Sequence, residues 1–159
     1  AIMLTAALPG GVYVYQGEEL GLWEVEDLPD ELREDPVWHR SGFTDRGRDG
    51  CRVPLPWSAE DGPSWLPQPE SWQRFSVAAQ ADDPGSMLSL YREVFAQRRG
   101  ISGDLEWLDL GEDVLAFRRN DRTCVVNLSD RPVDLPATPT LSSVPLTGGQ
   151  LPPDAAAWL

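Results

Sequence analysis

The apolar positions change their period along the chain. Ala1 to Leu8 (AIMLTAAL) is apolar on every side and stops at Pro9-Gly10, so it reads as the tail of a buried helix. Val12 to Tyr15 is an unbroken run of β-branched and aromatic residues, which predicts a short strand buried on both faces, as in a parallel sheet. Residues 18–36 are rich in carboxylates, with Arg33 alone opposing them. Leu28, Leu32 and Trp38 give weak helical spacing there, so the expectation is a solvated face with a short helix from about Asp30, ended by Pro36. From 37 to 75, Gly42, Gly47, Gly50, Pro54, Pro56, Gly62, Pro63, Pro67 and Pro69 forbid long regular elements. The aromatic residues of the same stretch (Trp38, Phe43, Trp57, Trp65, Trp72, Phe75) argue against disorder, so it reads as a long ordered excursion packed on a scaffold.

Residues 84–99 carry the clearest helical pattern. Met87, Leu88, Tyr91, Val94 and Phe95 recur at spacings of three and four, Asp82, Asp83 or Ser86 can cap the start, and Gly100 can stop it. After Ser102-Gly103 the period falls to two. Leu105–Leu110, Val114–Arg119 and Thr123–Leu128 read as strands joined by Gly111-Glu112-Asp113 and Asn120-Asp121-Arg122, which is hairpin chemistry. Val133–Leu135 and Leu141–Leu146 are weaker strand candidates, and the run from Pro152 to Leu159 carries no clear signal. The expected organisation is therefore an α/β part over 1–102 and a small antiparallel β domain over 103–159.

Charge narrows the function classes. A net charge of −13 in 159 residues argues against nucleic acid or an anionic membrane surface as partner. No run approaches the ~20 apolar residues of a spanning helix. Cys51 and Cys124 stand far apart without metal-ligand spacing, and His39 is the single histidine, so the expectation is free thiols in a reducing cytoplasm, with no metal and no cofactor.

Two segments carry the chemistry. Val12–Gly21 (VYVYQGEELG) delivers Gln16, Gly17, Glu18 and Glu19 at the end of the expected strand, and in parallel barrels the C-terminal strand ends are where chemistry sits. Gly47–Trp57 (GRDGCRVPLPW) places Arg48 and Arg52 four residues apart around a glycine turn. Pro9-Gly10 with Tyr15–Gly21 resembles the last-strand region of the α-glucosidases of glycoside hydrolase family 13, of the oligo-1,6-glucosidase or maltase type. Gly47–Trp57 resembles that family's arginine-rich substrate loop, and the following helix is in the right place. The resemblance covers residues 1 to about 100 well and the rest loosely. It implies the last strand, loop and helix of a (β/α)8 TIM barrel followed by an antiparallel β-sandwich domain, as the C-terminal piece of a longer enzyme.

That enzyme class uses two carboxylates flanking a glycosidic bond, about 5 Å apart where configuration is retained. Glu18 and Glu19 do not fit the pair, because adjacent residues of a continuing strand point to opposite faces. The resemblance places the family's nucleophile, acid/base and third carboxylate before Pro9-Gly10, so no catalytic residue is expected here. Gln16, Glu18 and Asp49 are expected to shape loops. By resemblance, Arg48 and Arg52 are the substrate-binding arginines for a small oligosaccharide, since a guanidinium offers several fixed donors to hydroxyls; a structural ion pair is the alternative for both. Trp57 and Trp65 are expected to pack in the core or anchor the loop rather than stack on sugar, and His39 to lie at the surface. Rival readings are a non-catalytic relative used as a binding or scaffold subunit, and a glucosyl transferase or isomerase on the same scaffold.

Overall fold

A computed structural model describes residues 1–58 and 64–159; the chain breakers Gly62 and Pro63 fall outside the described residues. The described residues form two compact units, Ala1–Tyr13 with Leu90–Leu159, and Val14–Ser89.

The first unit contains α1 (Ile2–Ala7), most of α4 (Met87–Arg98) and seven strands. The strands are β1 (Leu105–Asp109), β2 (Val114–Arg119), β3 (Arg122–Asn127), β4 (Val133–Asp134), β5 (Leu141–Ser142), β6 (Gln150–Leu151) and β7 (Ala156–Trp158). Five of them form one sheet in the order β1-β2-β3-β7-β5, with every observed pair antiparallel; β4 and β6 form a second, two-stranded sheet. Successive side chains of a strand point to opposite faces, and both faces of the large sheet are used. Leu115, Phe117, Cys124, Val126, Ala156 and Trp158 pack with Ile2, Met3, Ala6 and Ala7 of α1 and Tyr91 and Val94 of α4. On the other face Ala116, Val125 and Ala157 pack with Leu151 of β6 and Val133 of β4. The three expected strands are present at the expected places. β6 and β7 are the additions; in β7, Ala156 and Ala157 give no strand signal of their own, and pairing with β3 and β5 decides their conformation.

The end of α1 is held by side chains rather than by a helical cap. Arg98 donates to the carbonyls of Ala6, Leu8 (3.2 Å) and Gly10 (2.5 Å), and Arg119 donates to that of Ala7 (3.1 Å). Those of Ala6, Ala7 and Leu8 are among the carbonyls that a helix stopped by Pro9-Gly10 leaves without partners. Trp158 is fully buried, and its indole N–H donates to the Met3 carbonyl at 3.0 Å.

Val12–Tyr15 is not a strand. The segment has no ladder partner among the described residues, and Tyr13 is 95% exposed. A strand exists only through its neighbours' backbone groups, and β-type composition without them forms no ladder.

The second unit has little regular structure. Its core is Val25, Leu28, Val53, Leu66 and Trp72, with Leu22 and Leu32 packed against it. Short 3-10 segments (Glu18–Leu20, Asp30–Leu32, Asp49–Arg52, Glu70–Phe75) and two short helices, α2 (Pro36–Arg40) and α3 (Val77–Gln80), carry the chain around this core. Pro36 begins a helix instead of ending one. Asp35 caps it, its side chain accepting from the Val37 N–H at 2.9 Å, and proline suits a first helical turn because its missing N–H is not needed there. The acidic stretch is not uniformly solvated either: Arg33 and Asp35 are buried. Trp57 and Trp65 are exposed rather than core, and Trp72, edge-on to Trp23, takes the central place. Gln80 ties the unit's end together, donating to the Leu20 and Phe75 carbonyls (both 2.9 Å) and accepting from Leu88 (3.0 Å). Ser86 caps α4 through Ser89 N–H at 3.1 Å.

Candidate functional site

The second unit wraps its acidic segment and its arginine loop into one structure. Val25 donates to the Gly50 carbonyl at 3.2 Å, and a side chain on Gly50 would place its Cβ 2.4 Å from the Val25 carbonyl oxygen, so only glycine allows the approach. Arg46 reaches the Glu26 carbonyl at 2.8 Å, and the buried Arg33 donates to the carbonyls of Leu28 (2.7 Å) and Glu26 (3.3 Å). Asp49, also buried, accepts from the backbone N–H groups of Glu34 and Asp35, both at 2.8 Å. A carboxylate is well suited to this task because one oxygen can take two donors.

Asp35 is the second anchor. One carboxylate oxygen caps α2, and the other accepts from the Arg48 backbone N–H at 3.0 Å. These backbone donors, and then the Arg52 and Arg48 charges, hold its carboxyl below the ordinary range against the opposing effect of burial. Arg52 sits on this frame. Its Nη1 lies 3.2 Å from Asp35 Oδ2 and 3.6 Å from Asp49 Oδ1, while its side chain is 39% exposed against 4% for Asp35. The guanidinium is thus gripped from one side and open on the other, with donors left over for a ligand. Arg48 is exposed, and its backbone, rather than its side chain, is what meets Asp35.

Gln16 and Glu18 line a cleft of about 120 Å³ whose walls also include Tyr15, Trp23, Cys51 and Trp72. Glu18 accepts from the Tyr15 N–H and Glu19 from the Gly17 N–H, both at 2.9 Å, and Gly17 turns the chain with φ of +92°. Tyr15 Oη donates to the Cys51 carbonyl at 3.3 Å, joining the two motif segments. Burial, then the neighbouring Glu24, pushes the Cys51 thiol up, which makes it a poor nucleophile. Burial pushes the Cys124 thiol up to about 12, and both cysteines are free. His39 is exposed beside Phe43. Among the described residues no group of three or more His, Cys, Asp or Glu could hold a metal ion. The arrangement presents a partly exposed guanidinium, the chemistry that donates several hydrogen bonds to hydroxyl or carboxylate oxygens.

Asp35 is the residue that sequence reasoning missed. Its signal was available: Asp directly before Pro is a capping residue followed by a favoured first helical residue.

The sequence profile described as "Alpha amylase, catalytic domain" matches residues 1–102. The chain belongs to the α-amylase family. A second profile, described as a domain of unknown function (DUF3459), matches residues 103–158. A probable alpha-glucosidase of Rhizobium meliloti is 38% identical over 141 residues, covering 80% of this chain and 25% of that protein. The oligo-1,6-glucosidase of Parageobacillus thermoglucosidasius is 28% identical over 115 residues, covering 58% of this chain and 20% of that protein. Among solved structures, the alpha-glucosyl transfer enzyme XgtA superposes with a TM-score of 0.75 at 33% identity, covering 99% of this chain and 34% of that one. The Bacillus licheniformis trehalose-6-phosphate hydrolase, at 20% identity and a TM-score of 0.72, supports the fold alone. The α-amylase-family chain described here therefore spans about a quarter of the Rhizobium relative's length. It holds the end of the TIM-barrel catalytic domain and an antiparallel C-terminal module. No helix among the described residues is long and apolar enough to cross a membrane.

Proposed function

We propose that this chain forms the substrate-loop end and C-terminal β domain of a retaining α-glucosidase that releases glucose from small oligosaccharides. The observation that carries the reading is Arg52, held by two buried carboxylates yet open on one side, in the loop that the family resemblance assigns to substrate. Arg52 donates to sugar hydroxyls, and Arg48 is the second sugar-binding arginine. Asp49, Glu18 and Gln16 shape the loops around them. The catalytic carboxylates come from outside these residues, so the chain by itself is inactive. The division at 102/103 is supported by the bounds of the two family profiles. An oligosaccharide rather than a nucleic acid fits the net charge of −13, and the free thiols support a cytoplasmic setting.

A glucosyl-transfer reading has one specific support, the 33% identity to a structure titled as an alpha-glucosyl transfer enzyme. On this reading the residues that admit water over a sugar acceptor lie largely upstream of this segment.

The test is steady-state kinetics on maltose and isomaltose with the complete reading frame that encodes this segment. Arg52→Gln is expected to lose about 1.5–3 kcal/mol of charge-assisted hydrogen bonding, roughly a 10- to 150-fold drop in kcat/KM. The isolated 159-residue chain is expected to show no turnover. An unchanged kcat/KM, or turnover by the isolated chain, would overturn the proposal. Release of free glucose against transfer to added maltose separates the two reactions.

A further inference from the structure

We propose that Asp35 is the positioning residue for Arg52: its carboxylate aims the guanidinium at the sugar. The inference rests on reading Arg52 as a sugar-contacting group, and it adds a residue from the acidic segment to the arginine loop's function.

Three observations carry it. Asp35 Oδ2 lies 3.2 Å from Arg52 Nη1, nearer than the 3.6 Å of Asp49 Oδ1. The carboxylate is itself immobilised, because Oδ1 accepts from Val37 N–H at 2.9 Å and Oδ2 from Arg48 N–H at 3.0 Å. It is also walled in. Gly47 has φ of +63°, and a Cβ there would stand 2.6 Å from the Asp35 Cβ, so the loop backbone lies directly against the Asp35 side chain. A long flexible arginine loses rotamer entropy when it binds, and a fixed partner meets that cost before the ligand arrives. Asp35 is 4% exposed in its side chain and Arg52 39%, so the ligand meets the arginine and not the aspartate. Asp49 takes a different part, since its Oδ2 is committed to two backbone donors.

Asn is the informative replacement. Its oxygen can keep the α2 cap, but its amide then turns an N–H toward the Arg48 N–H and the Arg52 guanidinium, where donors face donors. The experiment uses the complete reading frame and four proteins: wild type, Asp35→Asn, Arg52→Gln and the double variant. Each is assayed for kcat and KM on maltose and for thermal midpoint. Asp35→Asn is expected to lower kcat/KM roughly tenfold, mainly through KM, and to add no further loss in the Arg52→Gln background, because coupled residues are non-additive.

A residue that only supports the fold lowers the active fraction, so kcat falls, KM stays and the losses multiply. That result overturns the proposal. A large Arg52→Gln loss with wild-type kinetics in Asp35→Asn overturns it while leaving the reading of Arg52 intact. Wild-type kinetics in Arg52→Gln overturns both. Should Asp35→Asn not fold, Asp35→Ser retains a capping oxygen without the charge pair. Failure of both variants to fold assigns Asp35 to structure and overturns the proposal.

Discussion

The two compact units solve the same problem with different means. The unit containing the sheet closes its interior by alternation: Leu115, Phe117, Cys124, Val126 and Trp158 point one way, and Ala116, Val125 and Ala157 point the other. Its backbone groups are satisfied by strand ladders. The unit of residues 14–89 has no strand among its described residues, and its small core is closed by buried polar side chains that serve as backbone partners: Arg33, Asp35, Asp49 and Gln80. Truncating a buried apolar side chain of the sheet unit costs lost burial and a cavity, about 2–5 kcal/mol. A polar anchor that holds two or three backbone groups acts differently, since each group left unpaired costs about 1–3 kcal/mol. The loop unit is thus specific in shape and thin in apolar stabilisation, a combination that fixes the Arg52 guanidinium against its two carboxylates.

The largest single loss is expected in the sheet unit. Trp158→Ala removes a fully buried ring together with the bond to the Met3 carbonyl. The expected cost is about 3–5 kcal/mol. It should appear as a lower urea midpoint and as lost amide protection in β2 and β3. A cost below about 1 kcal/mol would mean that the sheet does not depend on this core.

Gly50→Ala tests the loop unit by geometry alone. The new methyl would meet the Val25 carbonyl oxygen at 2.4 Å, and the backbone must move. Overpacking of this kind costs about 1–3 kcal/mol. The expected readout is faster amide exchange at Val25 and Asp35 with β2 and β3 unchanged. Unaltered exchange at Val25 would show that the close approach is not needed.

Ser86→Ala removes the cap of α4 and, with it, bonds to the carbonyls of Gln80 (2.9 Å) and Asp83 (2.8 Å). Capping losses are about 1 kcal/mol. The exchange of Ser89 is the check, and protection equal to wild type would count against the cap.

The same contrast explains what the sequence disclosed. β1, β2 and β3 were legible because their side chains alternate and their turns use Gly111 and Asn120, of which Asn120 takes φ of +53° in a two-residue loop. α4 was legible from its apolar stripe and Ser86. β7 was not, since alanine has no strand preference and the ladder alone assigns it. Val12–Tyr15 misled because β composition describes a side chain's surroundings and not the presence of partners. Arg52 and Asp49 could be picked out from the motif, but their joining to Asp35 could not. A span of 14 residues separates Asp35 from the Asp49 carboxylate that binds its N–H, and no local period encodes such a contact. Of the two places expected for Trp57 and Trp65, core or loop anchor, the core is ruled out: size favours burial, yet both are exposed in the excursion.

The smallest expected effect is one of slope, and it separates the units by pH. Asp35 has its carboxyl lowered from an ordinary 3.8 by the Val37 and Arg48 backbone donors, followed by the Arg52 and Arg48 charges. A carboxyl whose folded value lies below its unfolded value stabilises the fold above the unfolded value, and that contribution is lost as pH falls through the folded value. The loop unit should therefore lose protection below pH 3.8, first at Val37 and Arg48, whose N–H groups Asp35 accepts. Asp35→Asn cannot protonate, so the difference between wild type and variant should be constant near neutrality and shrink as acid neutralises the wild-type carboxylate. Amide exchange at Val37 and Arg48 between pH 2 and pH 6, corrected for intrinsic rates, measures it. A wild-type/variant difference that stays constant to the acid end would show that the Asp35 charge contributes nothing to holding the loop. The guanidinium would then be fixed by shape alone.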